Sequence, residues 1–305
     1  AHRLIEEFMV LANAAAAETL IAKKSPLLFR VHEEPSPEKL DALREVAIAS
    51  GLVLAKGQVL KTAHLNTLLK GAAGTENHEL INIATLRSMT QAYYNPENFG
   101  HFGLALRAYA HFTSPIRRYS DLIVHRALVS SHGWGKDGLS PWDIEHLPET
   151  AQLISDTERR SMTAERDTTD RYLAAFLSDR IGAEMGGRIS GVAKFGVFVK
   201  LDETGADAMI PIRTLGREFF HYDAESQTLM GSETGLIIGL GLRVTVKLAE
   251  AAPITGGLIA ELIAIDDRMV PRGPSRGRGK PPRRKVGSAK KKSAKTARKV
   301  KRQRK

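Results

Sequence analysis

The apolar residues of positions 1–181 recur mainly at the three- and four-residue spacing of amphipathic helices. Together with stop signals such as Gly51, this spacing predicts helices over 3–23, 38–50, 78–91, 116–131 and 147–181. Partial alternation over 104–112 predicts one buried strand. The first part of the chain is therefore predicted to be mainly helical.

The hydrophobic pattern changes at Gly187, after which short β-branched and aromatic runs are separated by glycine. These runs lie at 188–201, 205–211, 236–248 and 257–265, and together they predict about five short strands. Five short strands in a row are typical of a small Greek-key barrel of the OB type, and such barrels often bind oligonucleotides on one face. The pattern thus predicts an α+β chain in which a barrel follows the helices.

Basic charge is concentrated at the C-terminal end. The chain has a formal net charge of +11, yet residues 268–305 contain 18 Lys and Arg and no acid, which leaves 27 bases and 34 acids before them. This end has almost no large apolar residue, so it is predicted to be a disordered Lys/Arg-rich tail that binds phosphate backbones. A solubility or localisation role for the tail is the alternative.

The composition excludes several function classes. With no Cys, the 305-residue chain has no disulfides, thiol nucleophile or cysteine-ligated metal site. This composition suits a reducing compartment, and we expect a cytoplasmic location with no membrane partner, because the longest apolar stretch, at 236–242, is far shorter than a membrane span. The chain begins with Ala1, and we interpret it as the C-terminal piece of a longer protein.

The window from Tyr93 to Arg118 carries the most informative chemistry. Six of the chain's 18 aromatic residues lie between Tyr93 and Phe112, and Arg117 and Arg118 follow at a predicted helix start. Two cations there oppose the helix dipole unless an anion is bound, and Arg117 can fork a phosphodiester while Asp121 holds one guanidinium. Stacking rings beside a phosphate clamp suit single-stranded nucleic acid. An ordinary surface ion-pair cluster is the alternative.

The segment that reads His-Phe-Thr-Ser-Pro-Ile-Arg-Arg-Tyr-Ser-Asp-Leu, at 111–122, resembles the signature of the RNB exoribonuclease family. Blocks at 2–13, 101–106, 125–128 and 162–167 resemble further motifs of that family in the family's order, so that the resemblance spans about residues 1–267. Phe219 to Asp223 and the basic end are most similar to the members that handle structured RNA. Members that stall at duplexes are the alternative.

The resemblance implies processive 3′-to-5′ hydrolysis of RNA to nucleoside 5′-monophosphates, with Mg²⁺ as the cofactor. In the family the metal-binding aspartates lie upstream of everything present here, so we expect no metal ligands in this chain and no activity from it alone. Arg117 matches an arginine that acts at the scissile phosphate, where it would neutralise developing charge.

Two carboxylates match family residues at the RNA terminus. Glu6 matches a glutamate that contacts the last base or ribose, and Glu165 matches one near the terminal nucleotide. Asn13 shares a helix face with Glu6, so we expect it to bind RNA as well, together with Arg118. For Glu165 the alternative is a solvated ion pair with Arg160 or Arg166.

In the predicted barrel, four residues are the best candidates for binding RNA: Lys194, Phe195, Phe198 and Lys200. At least one of the two phenylalanines is expected in the core, because residues three apart point to opposite faces of a regular strand unless Gly196 forms a bulge. The aromatic cluster at 219–222 is a second candidate RNA contact, unless it simply fills a barrel end.

These inferences combine into a fold and two functional hypotheses. The expected architecture is the C-terminal part of an RNB catalytic domain over 1–181, a five-stranded OB-type domain of the ribosomal S1 kind over 182–267, and the disordered tail over 268–305. The first hypothesis is an exoribonuclease with RNA as its partner. The second is a non-catalytic RNA-binding or ribosome-associated module.

Overall fold

Seven α-helices dominate the part of the chain before the barrel. The computed structural model describes residues 1–55, 60–75, 77–216, 218–224, 226–266 and 268–269. Within these residues the helices are α1 (His2–Ala22), α2 (Pro37–Ala49), α3 (Thr62–Ala72), α4 (His78–Ser88), α5 (Tyr119–His132), α6 (Pro141–Glu145) and α7 (Leu147–Leu177). The strands β1 (Phe29–Val31) and β2 (Tyr93–Asn95) form a small antiparallel sheet between them.

Several predicted elements change. The helix α3 was not predicted, and the strand predicted over 104–112 is wrong. Ala108 and Ala110 from this segment are buried in a core shared with α1, α5 and β1, but the backbone there forms no strand, and the Arg30 N–H donates to the Tyr109 carbonyl (2.8 Å). The alternation of apolar residues over 104–112 therefore reflects the burial of Ala108 and Ala110, and the backbone does not form a ladder with another strand.

A five-stranded barrel follows the helices, which confirms the predicted α+β fold class. Its strands are β3 (Glu184–Ala193), β4 (Gly196–Leu201), β5 (Asp207–Pro211), β9 (Arg243–Ala252) and β10 (Gly257–Ile265). The strands β3, β4 and β5 form an antiparallel meander, β5 pairs with β10 in parallel, and β9 pairs with both β10 and β3. These last pairings close the barrel, whose interior is filled by alternating apolar side chains such as Val197, Val199 and Leu201.

A three-stranded sheet that was not predicted is inserted between β5 and β9. It consists of β6 (Phe220–Asp223), β7 (Thr228–Gly231) and β8 (Ile237–Ile238). Phe220 is buried in the barrel core, while Phe219 is 67% exposed and contacts His221 edge to face. The aromatic cluster at 219–222 is therefore divided between packing and surface.

The long helix α7 joins the helical segment to the barrel. Ala174 and Leu177, near its end, lie in the barrel core. The β9–β10 turn approaches the helix so closely that a Cβ at Gly256 would lie 2.9 Å from the Asp170 Cβ. Arg87 of α4 makes a second link, because its guanidinium donates to the Ser190 carbonyl of β3. The barrel is thus held against the helices at two places.

The predicted basic tail lies almost wholly outside the described residues. Its first two residues form β11 (Arg268–Met269), which pairs with the end of β10. Among the described residues, no helix has both the length and the apolar character needed to cross a membrane.

Candidate active site and nucleic-acid interface

Arg117 lies on a turn that precedes α5, and the helix starts later than predicted. The backbone N–H groups of Arg117 and Arg118 both donate to the Ser114 carbonyl, at 3.2 and 3.1 Å, and α5 begins only at Tyr119. Ser114 and Pro115 therefore initiate a turn and not the helix. Arg118, in an extended conformation, occupies the position just before the helix.

Asp121 lies in the first turn of α5, and its carboxylate holds the preceding turn, from Ser114 to Arg118, in place. Its side chain is fully buried and accepts the Ser114 N–H at 2.7 Å and two Arg118 guanidinium nitrogens at 2.8 Å each. Burial alone would raise the pKa of Asp121, but these hydrogen bonds and the Arg118 charge outweigh it and hold the pKa below its ordinary value. The prediction that Asp121 holds one guanidinium is confirmed, and the residue it holds is Arg118.

The two adjacent arginines therefore have different environments. Arg118 is largely buried, and only its Nη1 atom is left without a partner in the described part of the chain. Arg117 is exposed, and its guanidinium forms no hydrogen bond or ion pair with any described residue. Its neighbour Ile116 is fully exposed and Tyr119 is half exposed. The structure thus presents the unpaired Arg117 guanidinium on a fixed turn, whereas two of the Arg118 nitrogens already donate to Asp121.

Asn13 does not face solvent, which corrects the prediction that it binds RNA. Its side chain is 3% exposed, and the amide oxygen accepts the backbone N–H groups of Phe112 (2.8 Å) and Thr113 (3.1 Å). The amide nitrogen donates to the Tyr109 hydroxyl at 2.9 Å. Asn13 therefore holds the segment that leads into the Arg117 turn, and its contribution to the site is one of position.

Most of the aromatic residues before Arg117 are packing and not stacking platforms, contrary to the prediction. Tyr94 and Tyr109 are buried, and Phe112 stacks on His125 with ring centroids 4.4 Å apart. Of the six, Phe99 is the large exposed ring. Most of these rings therefore belong to the packing beneath the Arg117 turn and are not available for stacking on a ligand.

Two histidines lie partly buried among these rings. The His111 Nδ1 atom lies 2.9 Å from the Tyr94 hydroxyl, and His101 packs edge to face on Tyr109. Burial, with the charges of Arg118 and Arg30, lowers the pKa of His111 to about 3. Burial, with the nearby His32 and Arg30, lowers the pKa of His101 to about 4. Both rings are therefore neutral in the folded protein near neutral pH.

This arrangement predicts a loss of stability on mild acidification. The folded-state pKa of His111 is below its unfolded value of about 6.5, so between these values the unfolded state binds a proton more readily than the folded state. The free energy of unfolding is therefore fully retained above pH 6.5 and declines as the pH falls toward 3. At pH 5 the loss from His111 is about 2 kcal/mol. Urea unfolding at pH 7 and pH 5 measures it. His111→Gln keeps a polar side chain but does not titrate. Between pH 7 and pH 5 its free energy of unfolding should therefore fall less than that of the parent, and equal falls would contradict the role of His111.

Glu6 and Glu165 are both exposed, on α1 and on the middle of α7. No carboxylate contact is found for either among the described residues, so the alternative ion pair of Glu165 with Arg160 or Arg166 is not formed. The first half of α1 is exposed on its apolar side too, since Ile5 and Phe8 are more than half exposed. Both carboxylates are thus free to accept hydrogen bonds, and their contact with RNA stays a prediction.

The four candidate barrel residues lie on β4, the central strand of the meander, and on the turn that leads into it. Lys194 and Phe195 form the β3–β4 turn, whereas Phe198 and Lys200 point outward from β4. The two phenylalanine rings meet at right angles with centroids 6.0 Å apart, and Phe195 is 59% exposed. The expectation that one of them is core is wrong, because Phe195 lies in the turn, where strand alternation does not apply. All four residues are accessible, and their binding of RNA stays a prediction.

A groove of about 660 Å³ separates this barrel surface from α4. Phe198, Lys200 and Arg87 line it. Arg87 was not predicted, because a lone arginine on a helix carries no signal that it will bridge to a strand more than one hundred residues away. The groove thus places one cation from the helices and one from the barrel beside the Phe198 ring.

Magnesium ligands are not found together here. In the part of the chain that the structure describes, no three His, Asp or Glu side chains are grouped so as to hold a metal ion. The described residues therefore do not offer the set of grouped carboxylates that a Mg²⁺ ion would need.

Comparisons with known proteins match two domain families to different parts of the chain. The RNB domain family matches residues 1–131, and the S1 RNA binding domain family matches residues 178–238. Ribonuclease R of Vibrio cholerae is 36% identical over 302 residues, covering 96% of this chain and 36% of that protein. Ribonuclease R of Escherichia coli is 40% identical over 256 residues, covering 81% of this chain and 32% of that protein.

Solved structures give the same result. The apo form of Mycoplasma genitalium RNase R superposes with a TM-score of 0.79 at 32% identity, covering 85% of this chain and 41% of that one. The same enzyme in complex with ribose-methylated single-stranded RNA gives a TM-score of 0.78 with the same coverage. The chain spans about a third of the length of the curated relatives. These domains and relatives place the chain in the RNB family, as an RNB segment followed by an S1 RNA-binding domain.

Proposed function

We propose that this chain is part of an exoribonuclease that hydrolyses RNA from its 3′ end, processively and through structured regions, and releases nucleoside 5′-monophosphates. Similarity to ribonuclease R over most of the chain supports this proposal, as does the resolved RNA complex of a structural relative. Because the chain spans about a third of those relatives, the activity belongs to the longer protein, in which Mg²⁺ would be held by residues outside the described ones.

The free guanidinium of Arg117 is the observation that carries the proposal. Hydrolysis of a phosphodiester places growing negative charge on the two non-bridging oxygens, and a preorganised cation lowers the energy of that state most effectively. Arg117 meets this requirement because Asp121 fixes the turn through Ser114 and Arg118 while leaving Arg117 without a partner in the described structure. Its planar fork can donate to two phosphate oxygens at once.

The exposed carboxylates suit the sugar of the last nucleotide. Glu6 and Glu165 are free to accept hydrogen bonds from ribose hydroxyls, the groups by which a protein distinguishes RNA from DNA. Upstream nucleotides would lie on the barrel, where Phe195 and Phe198 offer stacking surfaces and Lys194 and Lys200 offer charge. Under this proposal the terminal nucleotide and the strand behind it would be bound by different residues.

The direct test uses the protein encoded by the complete reading frame together with the 305-residue chain. With 5′-labelled single-stranded RNA and Mg²⁺, the complete protein should shorten the RNA from its 3′ end and release 5′-monophosphates. The 305-residue chain should bind the same RNA and release no mononucleotide. A tailed hairpin separates a duplex-degrading enzyme from one that stalls.

One result would overturn the proposal, and a second would overturn only the placement of the metal outside the described residues. Binding of RNA by the complete protein without any shortening would favour a non-catalytic RNA-binding or ribosome-associated module. Metal-dependent release of mononucleotides by the 305-residue chain would mean that its own residues hold the metal.

A further inference from the structure

Arg30 of β1 contacts both the long helix α7 and the small two-stranded sheet. Its guanidinium forms a two-nitrogen pair with the Glu158 carboxylate of α7, at 2.6 and 3.1 Å, and the two side chains are 15% and 32% exposed. The same guanidinium lies over the Tyr94 ring of β2, with its central carbon 4.7 Å from the ring centroid. A planar guanidinium can make both contacts at once, because the fork that pairs with a carboxylate leaves its faces open.

Tyr94 connects this pair to the Arg117 turn. Its hydroxyl lies 2.9 Å from the His111 Nδ1 atom, three residues before Ser114, whose carbonyl begins the turn. Its buried ring belongs to the same apolar cluster as Ile123 of α5, the helix that follows the turn. A displacement of Tyr94 would therefore reach the segment that carries Arg117 from both sides.

Glu158 lies on the face of α7 that is held against the small sheet. Ser155, one turn earlier on that face, is buried, and its hydroxyl accepts the Tyr94 N–H at 3.0 Å and donates to the Ala151 carbonyl at 2.7 Å. This part of α7 is thus fixed by one contact with the backbone of β2 and by one with the Arg30 side chain of β1.

The support of α7 changes directly after Glu158. Every residue from 159 to 169 is exposed, whereas Ala174, near the end of the helix, packs in the barrel core. Glu165 lies within this exposed span, on the same helix face as Glu158 and about 10 Å further along the axis. The Arg30–Glu158 pair therefore anchors α7 immediately before the span and sets the direction in which Glu165 projects.

We infer that Arg30 and Glu158 are positioning residues that hold the Arg117 turn and the exposed span of α7 at a fixed separation. This inference rests on the proposed function, in which Arg117 contacts the phosphodiester and Glu165 the sugar of the last nucleotide. One nucleotide can engage both only at one separation, and a misplacement of about 1 Å lowers a rate by on the order of 10²-fold. An ion pair that only stabilises the fold is the alternative.

A distance measurement on the 305-residue chain tests the inference without an activity assay. Because the chain has no Cys, I116C and T163C carry one nitroxide on the Arg117 turn and one in the exposed span of α7. Double electron–electron resonance should give a narrow distance distribution for the parent. E158Q should broaden it, because an amide offers the guanidinium one acceptor and turns a donor toward its second nitrogen.

The matched control is D143N, which makes the same change in the two-nitrogen pair of Asp143 with Arg126 and should leave the distribution narrow. Should E158Q fail to fold by circular dichroism, E158D keeps the charge but shortens the side chain, and it should shift the distribution instead. An unchanged distribution in the folded Glu158 variant, or equal broadening by D143N, would overturn the inference.

Kinetics of the complete protein distinguish positioning from stability alone. E158Q should lower the single-turnover rate on the order of 10²-fold with little change in the Kd for RNA. If Glu158 acts through the placement of Glu165, the two losses do not add, and E158Q/E165Q should be about as fast as E165Q. Additive losses would show that Glu158 acts independently of Glu165 and would overturn the positioning role.

The two proposals fail separately. A narrow distribution in E158Q together with RNA shortening by the complete protein would leave the exonuclease proposal in place and remove the positioning role. If the complete protein shortens no RNA, the proposed function fails, and with it the catalytic meaning of the coupling between the turn and α7.

Discussion

Replacing Arg117 with alanine should lower the turnover rate of the complete protein on single-stranded RNA by about 10²–10³-fold, while the Kd for the same RNA changes little. The reason is that Arg117 has no partner in the described structure, so its removal leaves no buried charge and does not disturb the Asp121–Arg118 pair. A contact that strengthens only as charge develops on the phosphate affects the chemical step far more than binding.

Single-turnover rates and anisotropy titrations on the same preparations separate the two effects. Arg117→Lys should recover part of the rate, since it restores the charge but not the fork. Arg107→Ala is the matched control, because Arg107 is another exposed arginine of the same segment and its guanidinium also forms no hydrogen bond or ion pair with a described residue. A similar fall in rate and in affinity for Arg117→Ala would show that Arg117 binds RNA uniformly and has no special role in the transition state.

The sequence predicts an element well where the spacing of neighbouring residues determines its structure. It predicts poorly where partners distant along the chain determine it. In the barrel, alternation is sufficient, because Val197, Val199 and Leu201 are buried while Phe198 and Lys200 between them face outward. In α1, helical spacing placed Ile5, Phe8, Ala16 and Leu20 on one apolar face, yet only the last two are buried. Periodicity identifies residues that share a face, but it does not show how far along the helix a packing partner extends.

The same distinction applies to the candidate site. The pairing of Arg118 with Asp121 was predictable because the two residues are three apart along the chain. The role of Asn13 was not, because its backbone partners at Phe112 and Thr113 are about one hundred residues away. Helical geometry placed Asn13 on one face with Glu6, but Glu6 lies in the exposed half of α1 and Asn13 in the buried half. Shared direction on a helix therefore does not imply shared access to a ligand.

Asp121→Asn should reduce both stability and turnover, and its effect on stability should be the largest of any single change in the site. The carboxylate accepts the Ser114 N–H and two Arg118 nitrogens while fully buried, and an amide can supply only one acceptor oxygen and adds a donor that faces other donors. Breaking a buried ion pair in this way leaves the Arg118 charge uncompensated, which costs about 3–5 kcal/mol in the free energy of unfolding. Urea unfolding at pH 7 measures this loss.

Turnover should fall as well, because the same carboxylate fixes the turn that orients Arg117. Asp143→Asn is the matched control. Asp143 forms a similar two-nitrogen pair with Arg126, at 3.1 and 2.7 Å, but it belongs to α6 and does not contact the Arg117 turn. At a temperature where both variants are folded, Asp121→Asn should lower kcat with little change in RNA affinity, and Asp143→Asn should lower stability without lowering kcat. Parental kcat in folded Asp121→Asn protein would show that the orientation of Arg117 does not depend on this carboxylate, and the proposed role of the fixed turn would then have to be abandoned.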